Sequence, residues 1–336
     1  MRALLVRCSQ LMSKTRPGVR LVVAAAVLVT AASVSPAAAQ DWMTGAEMPT
    51  ARSEISAAVL GGRIYVPGGL VRNGATRSVE AYDTKTDTWH EIASMPVGVH
   101  HFGVAAVGGK LYVSGGYVDL GFNPDVRSLW AYDPGTDDWQ RMASMPLPRA
   151  AHEMVTLGGK LYVVGGTGPD PTRLMIYDPA TNAWNSTAAP LPTPREHLAA
   201  VAHDERLYVI GGRWAQIGNL GTVEVYDPAR DTWSRLPDMP TRRGGLTAAL
   251  AEGRIYVFGG ESLQSGQTFD QNEALDPVTG RWEPAADLPT PRHGVASATF
   301  GCRIAVIGGA RASGRRSFAT LSQAIEVYEG ACGKAI

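Results

Sequence analysis

Residues 206–240 read RLYVIGGRWAQIGNLGTVEVYDPARDTWSRLPDMP. The stretch opens on Arg206 to Ile210, a short run of strand composition ended by the doublet Gly211-Gly212. A polar loop follows, then a second β-branched run closing on Tyr226-Asp227. After a turn, Trp233 heads a third run, which Met239-Pro240 ends. A fourth run, TAAL at 247–250, is built of small residues. Nothing in this pattern has the 3.6-residue period of an amphipathic helix, so it reads as strands joined by turns. The same order recurs along the chain. Gly-Gly doublets stand at 68–69, 115–116, 165–166, 211–212, 259–260 and 308–309, so the period is 46 to 50 residues. The runs before them are RIYVP, KLYVS, KLYVV, RLYVI, RIYVF and RIAVI. A Tyr precedes a Trp by seven residues in Tyr82/Trp89, Tyr132/Trp139, Tyr177/Trp184 and Tyr226/Trp233, and Leu275 takes the Tyr place before Trp282. Four strands per period and no helix make one blade per repeat, so six periods predict an all-β, six-bladed propeller with four antiparallel strands per blade.

The Gly-Gly doublet followed by spaced Tyr and Trp resembles the kelch family over about residues 41–330. The resemblance implies a binding module. It also admits a sugar-processing enzyme, because periplasmic six-bladed kelch propellers include sialic-acid mutarotases. The physical chemistry fits the family pattern. Glycine tolerates the unusual backbone angles and close approach of a neighbouring chain that a tight strand exit needs. Tyr and Trp supply large apolar area between blades.

The two ends depart from the repeat. Residues 1–39 carry Arg2, Arg7, Lys14, Arg16 and Arg20 without an acid, then an apolar run from Leu21 to Ala32 and Ala37-Ala38-Ala39. This predicts a signal peptide over 1–39 and a propeller over 40–336, exported to the periplasm or secreted. The apolar run is shorter than the roughly 20 residues of a membrane span, so no membrane association is expected after cleavage. Tyr328 has Ala335 where the pattern asks for Trp, while Asp41-Trp42 and Glu47-Met48-Pro49 repeat the outer-strand pattern. Residues 41–48 are therefore expected to supply the outer strand of the last blade and close the ring. Cys302 and Cys332, which remain once Cys8 leaves with the leader, lie at the start of the second strand and just after the third strand of that blade. In an oxidising compartment they are expected to pair.

Without residues 1–39 the chain keeps 26 basic against 31 acidic residues, a net charge of −5 that speaks against nucleic acid. No Walker loop, HExxH or Ser-His-Asp arrangement is present, so no cofactor is expected. A monomer that binds a protein, peptide or glycan is the expectation. Loop length varies between the second and third strands of each blade, all on one face, which is where repeat proteins commonly bind. These loops carry Tyr117 and Trp214. Three residues after the Pro that ends each repeat stand Arg52, Val99, Arg149, Arg195, Arg243 and Arg292. The arginines have two readings: anion-binding groups at the channel mouth, or internal braces that bond backbone and carboxylates. His101, His197 and His293 lie close to this ring, as do His100 and His152. In aligned register Glu54, His101 and His197 occupy one position in three blades, the composition of a two-histidine, one-carboxylate metal site. The expectation is the plainer one, histidines lining a polar, watered channel with no metal, and Glu54, His101 and His197 stand as the candidate ligands should there be one.

Overall fold

The computed structural model describes residues 41–123 and 126–332. The expected signal peptide over 1–39 lies outside the described residues. The propeller architecture is as the repeat predicts: among the described residues there are six four-stranded antiparallel sheets. In the blade of the opening stretch, Ala199–His203, Arg206–Ile210, Val223–Asp227 and Thr232–Leu236 run in order from the axis outward. Tyr226 pairs with Trp233 across the outer strands, as Tyr82 does with Trp89 and Tyr132 with Trp139. Trp42–Thr44 pairs with Ile325–Tyr328, placing Trp42 opposite Tyr328, so an N-terminal strand completes the last blade. Cys302 and Cys332 form a disulfide with Cα atoms 5.1 Å apart.

The repeated residues hold blade to blade. The indole N–H of each Trp at the repeat position donates to a carbonyl of the preceding blade: Trp233 to Ala189 at 2.9 Å, Trp139 to Ala93 at 2.8 Å, and Trp42 to Ala286 at 3.0 Å. Each Tyr hydroxyl in the first four blades donates within its own turn, as Tyr226 does to Asp231 at 2.6 Å. Between neighbouring blades lie apolar clusters such as Tyr162, Val164 and Leu174 against Leu198, Leu207 and Tyr226. The glycine doublets are needed where blades touch. A Cβ on Gly115, at φ 59°, would stand 2.2 Å from the Arg149 carbonyl oxygen of the next blade.

The five arginines are braces. All have no exposed surface, so they do not present themselves at the channel mouth, and the expectation that they bind ligand there is corrected. Arg52 donates to the Gly68 and Ser78 carbonyls at 2.8 and 3.1 Å and pairs with Glu80 at 2.6 Å. Arg195, Arg243 and Arg292 do the same work with Glu224, Glu273 and Glu326. Arg149 has no glutamate at that place and donates to the Gly165, Asp170 and Pro171 carbonyls instead, at 2.7 to 3.0 Å. A threonine two residues before the arginine completes four of these sets, as when Thr193 donates to Glu224 at 2.7 Å. Four of the five guanidiniums pair with a buried glutamate and all five donate to backbone carbonyls, so their bonding is internal.

Candidate functional site

Two residues beyond each arginine position the chain turns left-handed. Glu54, His101, Ala151, His197, Gly245 and Gly294 all have φ between 50° and 66°. Successive members of this set are joined around the axis: His101 N–H donates to the Glu54 carbonyl, Ala151 to His101, His197 to Ala151, Gly245 to His197 and Gly294 to Gly245, at 2.7 to 3.0 Å. Ile55 returns to the Gly294 carbonyl at 3.4 Å, closing the circle. Such left-handed non-glycine residues cost about 1 to 2 kcal/mol each and are held by the structure around them. This is what turns three side chains of different blades onto one point. The donor atoms of Glu54, His101 and His197 all lie within 4.8 Å of one another.

Two further columns surround this one. The residue just after each arginine position bridges the residue just after the glycine doublet, so His100 pairs with Tyr117, Glu196 with Arg213, Gly244 with Glu261 and His293 with Ala310. Arg213 joins Glu196 at 2.6 Å to Glu261 at 2.5 Å. His293 sits between Glu54 at 3.5 Å and Glu261 at 3.6 Å, and donates to the Ala312 carbonyl at 3.0 Å. His197 bonds Glu196 through Nδ1. Above these groups opens a pocket of about 1490 Å³. Its polar floor is Glu54, His101, His197, Arg213, Glu261 and His293, and its wall carries Tyr117, Phe122, Thr167 and Trp214. Beneath the ring, the bore continues past Glu153.

Burial sets the protonation of this floor. It pushes His101 down to about 3 and His197 well below its ordinary range, so both are neutral. Burial also acts to raise Glu54, but His101, His293 and His197 outweigh it, and the carboxyl stays ionised well below the usual range. Burial lowers His293 in turn, and its bonds to Glu54, Glu261 and the Ala312 carbonyl outweigh that, leaving it raised.

Of the residues expected from the sequence, His101, His197, His293, Tyr117 and Trp214 line this pocket, together with Glu54; Arg52, Arg149, Arg195, Arg243 and Arg292 do not. Glu196 was missed. The signal was available, because it stands at the position of His100 and His293 in the repeat. Likewise Glu80, Glu224, Glu273 and Glu326 share a place two residues before the repeat Tyr, and Trp130 replaces them in the blade where Val99 replaces Arg.

A family model described as the KLHDC2/KLHL20/DRC7 Kelch-repeats domain matches residues 31–166 and again 151–323. The chain belongs to the kelch-repeat family. Short segments of this kelch chain are similar to larger proteins. It is 40% identical over 67 residues to mouse (Mus musculus) Kelch domain-containing protein 7A, covering 20% of this chain and 8% of the relative. It is 44% identical over 57 residues to human (Homo sapiens) Kelch-like protein 4, covering 17% of this chain and 8% of that one. The matches thus span less than a tenth of either relative. Among solved structures, that of YjhT superposes with a TM-score of 0.69 at 19% identity, over 84% of this chain and 99% of the other. At that identity the likeness concerns the fold.

Proposed function

We propose that this chain is an exported binding module that takes an apolar segment of a protein or peptide into the pocket on its loop face. Kelch propellers serve in general as protein-binding modules, and family membership supports that class. The observation that carries the finer reading is where the exposed apolar side chains stand. Among the described residues only eight large hydrophobic side chains are well exposed, and Leu120, Phe122, Ile217 and Leu263 among them line this one pocket. They come from three different blades, so no local sequence feature requires the cluster. An apolar rim around a polar floor suits a ligand with an apolar anchor and a hydrogen-bonding end, the usual composition of a binding hot spot.

A sugar-processing enzyme is the second reading, favoured by three histidines and three carboxylates, Glu54, Glu196 and Glu261, in a deep pocket. For an anionic sugar its floor is poor in cations, since Arg213 is paired with two glutamates and the five bracing arginines are internal, which leaves the exposed Arg315 at the rim. Selection from a displayed peptide library on the purified propeller separates the two. The module reading expects peptides with an apolar anchor whose affinity falls at least about tenfold in the Phe122→Ala/Trp214→Ala variant, roughly 1.4 kcal/mol or more. It expects no change in Val278→Ala, on another exposed apolar residue. Peptides that bind both variants equally, or a small sugar that alone raises the melting temperature, would overturn it.

A further inference from the structure

The hydrogen-bond chain around the pocket floor determines which histidine nitrogens carry protons. His100 Nε2 lies 3.0 Å from the Asp119 carbonyl oxygen, which only accepts, so Nε2 bears the proton. Neutral His100 then offers a lone pair at Nδ1, and the partner of that atom is Nδ1 of His101. His101 must donate there, which leaves its Nε2 as a lone pair. His197 reaches the same state by a separate route. Its Nδ1 donates to the Glu196 carboxylate, which Arg213 and through it Glu261 hold in place. Its Nε2 is again a lone pair.

Both lone pairs face a third. His101 Nε2 is 3.2 Å and His197 Nε2 is 3.6 Å from the same oxygen, Oε2 of Glu54. Three electron-pair donors therefore converge with no hydrogen between them, in a buried place where such an arrangement is unfavourable unless a cation stands at its centre.

We propose that Glu54, His101 and His197 bind a divalent transition-metal ion at the floor of the pocket. Bonds of about 2.0 to 2.1 Å to tetrahedral zinc place ligand atoms about 3.3 Å apart, close to the 3.2 and 3.6 Å from the two imidazoles to Glu54, and the three donor atoms lie within 4.8 Å of one another. Each ligand also has the outer partner that metal ligands usually have: His100 for His101, Glu196 for His197, and His293 for Oε1 of Glu54. Two imidazoles and one carboxylate suit zinc or iron(II) in preference to magnesium or calcium. All three ligands line the pocket, so the remaining coordination positions open toward whatever the pocket holds. The site does not depend on the apolar-peptide reading, which concerns the rim.

The test uses chelator-treated, dialysed protein and Zn²⁺ as the probe, read by isothermal titration and by metal analysis after desalting. One equivalent is expected to bind and to raise the melting temperature. His101→Ala and His197→Ala should each lose at least about a hundredfold in affinity, and Glu196→Gln about 10- to 100-fold. His90→Ala, on an exposed histidine, should change nothing. Absence of stoichiometric binding, or binding that survives the His101→Ala/His197→Ala change, would overturn the proposal. Should those variants not fold, Co²⁺ on the wild-type chain decides: visible absorption of a low-coordinate nitrogen and oxygen site supports it, and the spectrum of hydrated Co²⁺ overturns it.

Discussion

Glu153 shows what the bore does to a single side chain. It begins the innermost strand of the third blade and faces the channel beneath the ring, where burial raises its carboxyl from 4.5 to about 8. Between pH 4.5 and 8 the native chain keeps this proton and the unfolded chain has lost it. The unfolded state then binds fewer protons, so the group lowers stability as pH rises through that window and levels off above it. Glu153→Gln removes the dependence. Melting curves of chelator-treated wild type and variant should separate progressively from pH 4.5 to pH 8, the variant being the more stable. A constant gap would contradict this account. Nothing in the local sequence sets Glu153 apart from an exposed acid, because its surroundings come from inner strands of other blades that also line the bore.

At the scale of the element, five of the six blades are joined to the chain that enters them by one buried arginine. Arg195 shows the balance of terms. Its guanidinium and Glu224 are both buried, so removal of one partner leaves an uncompensated charge inside. Arg195→Leu is expected to cost about 3 to 5 kcal/mol in chemical denaturation. Arg195→Leu/Glu224→Leu should recover a large part of that loss, since the second change removes the orphaned carboxylate. If the double variant were as unstable as the single one, the backbone carbonyls of Gly211 and Thr222 would be the partners that matter. The arginine positions were legible in the sequence and their destination was not. Spacing located them near the channel mouth, but the direction of a side chain at a strand entrance depends on the blade beside it. In the second blade Val99 and Trp130 stand together in place of Arg and Glu, whereas the third keeps Arg149 with Met175 at the Glu position and bonds it to carbonyls.

For the whole molecule, closure joins the first described strand to the last. Trp42–Thr44 completes the sixth sheet, and the Cys302–Cys332 disulfide fixes the third strand of that sheet to the turn before the second. The sequence separation of 30 corresponds to roughly 3 to 4 kcal/mol from the restricted unfolded chain. Cys302→Ser/Cys332→Ser should lose stability on that scale and show faster amide exchange first in Trp42–Thr44; uniform exchange around the ring would argue against a weak point at the closure. The repeat by itself determined the blade count, the strand order, the closing strand and the face on which loop lengths vary, because these follow from periodicity and from the backbone freedom of glycine. Tertiary structure alone decided that five arginines turn inward and that Glu54, His101 and His197 meet. Residues one, two and four blades along the chain become neighbours only when a closed ring brings the same left-handed turn of every blade to a single axis.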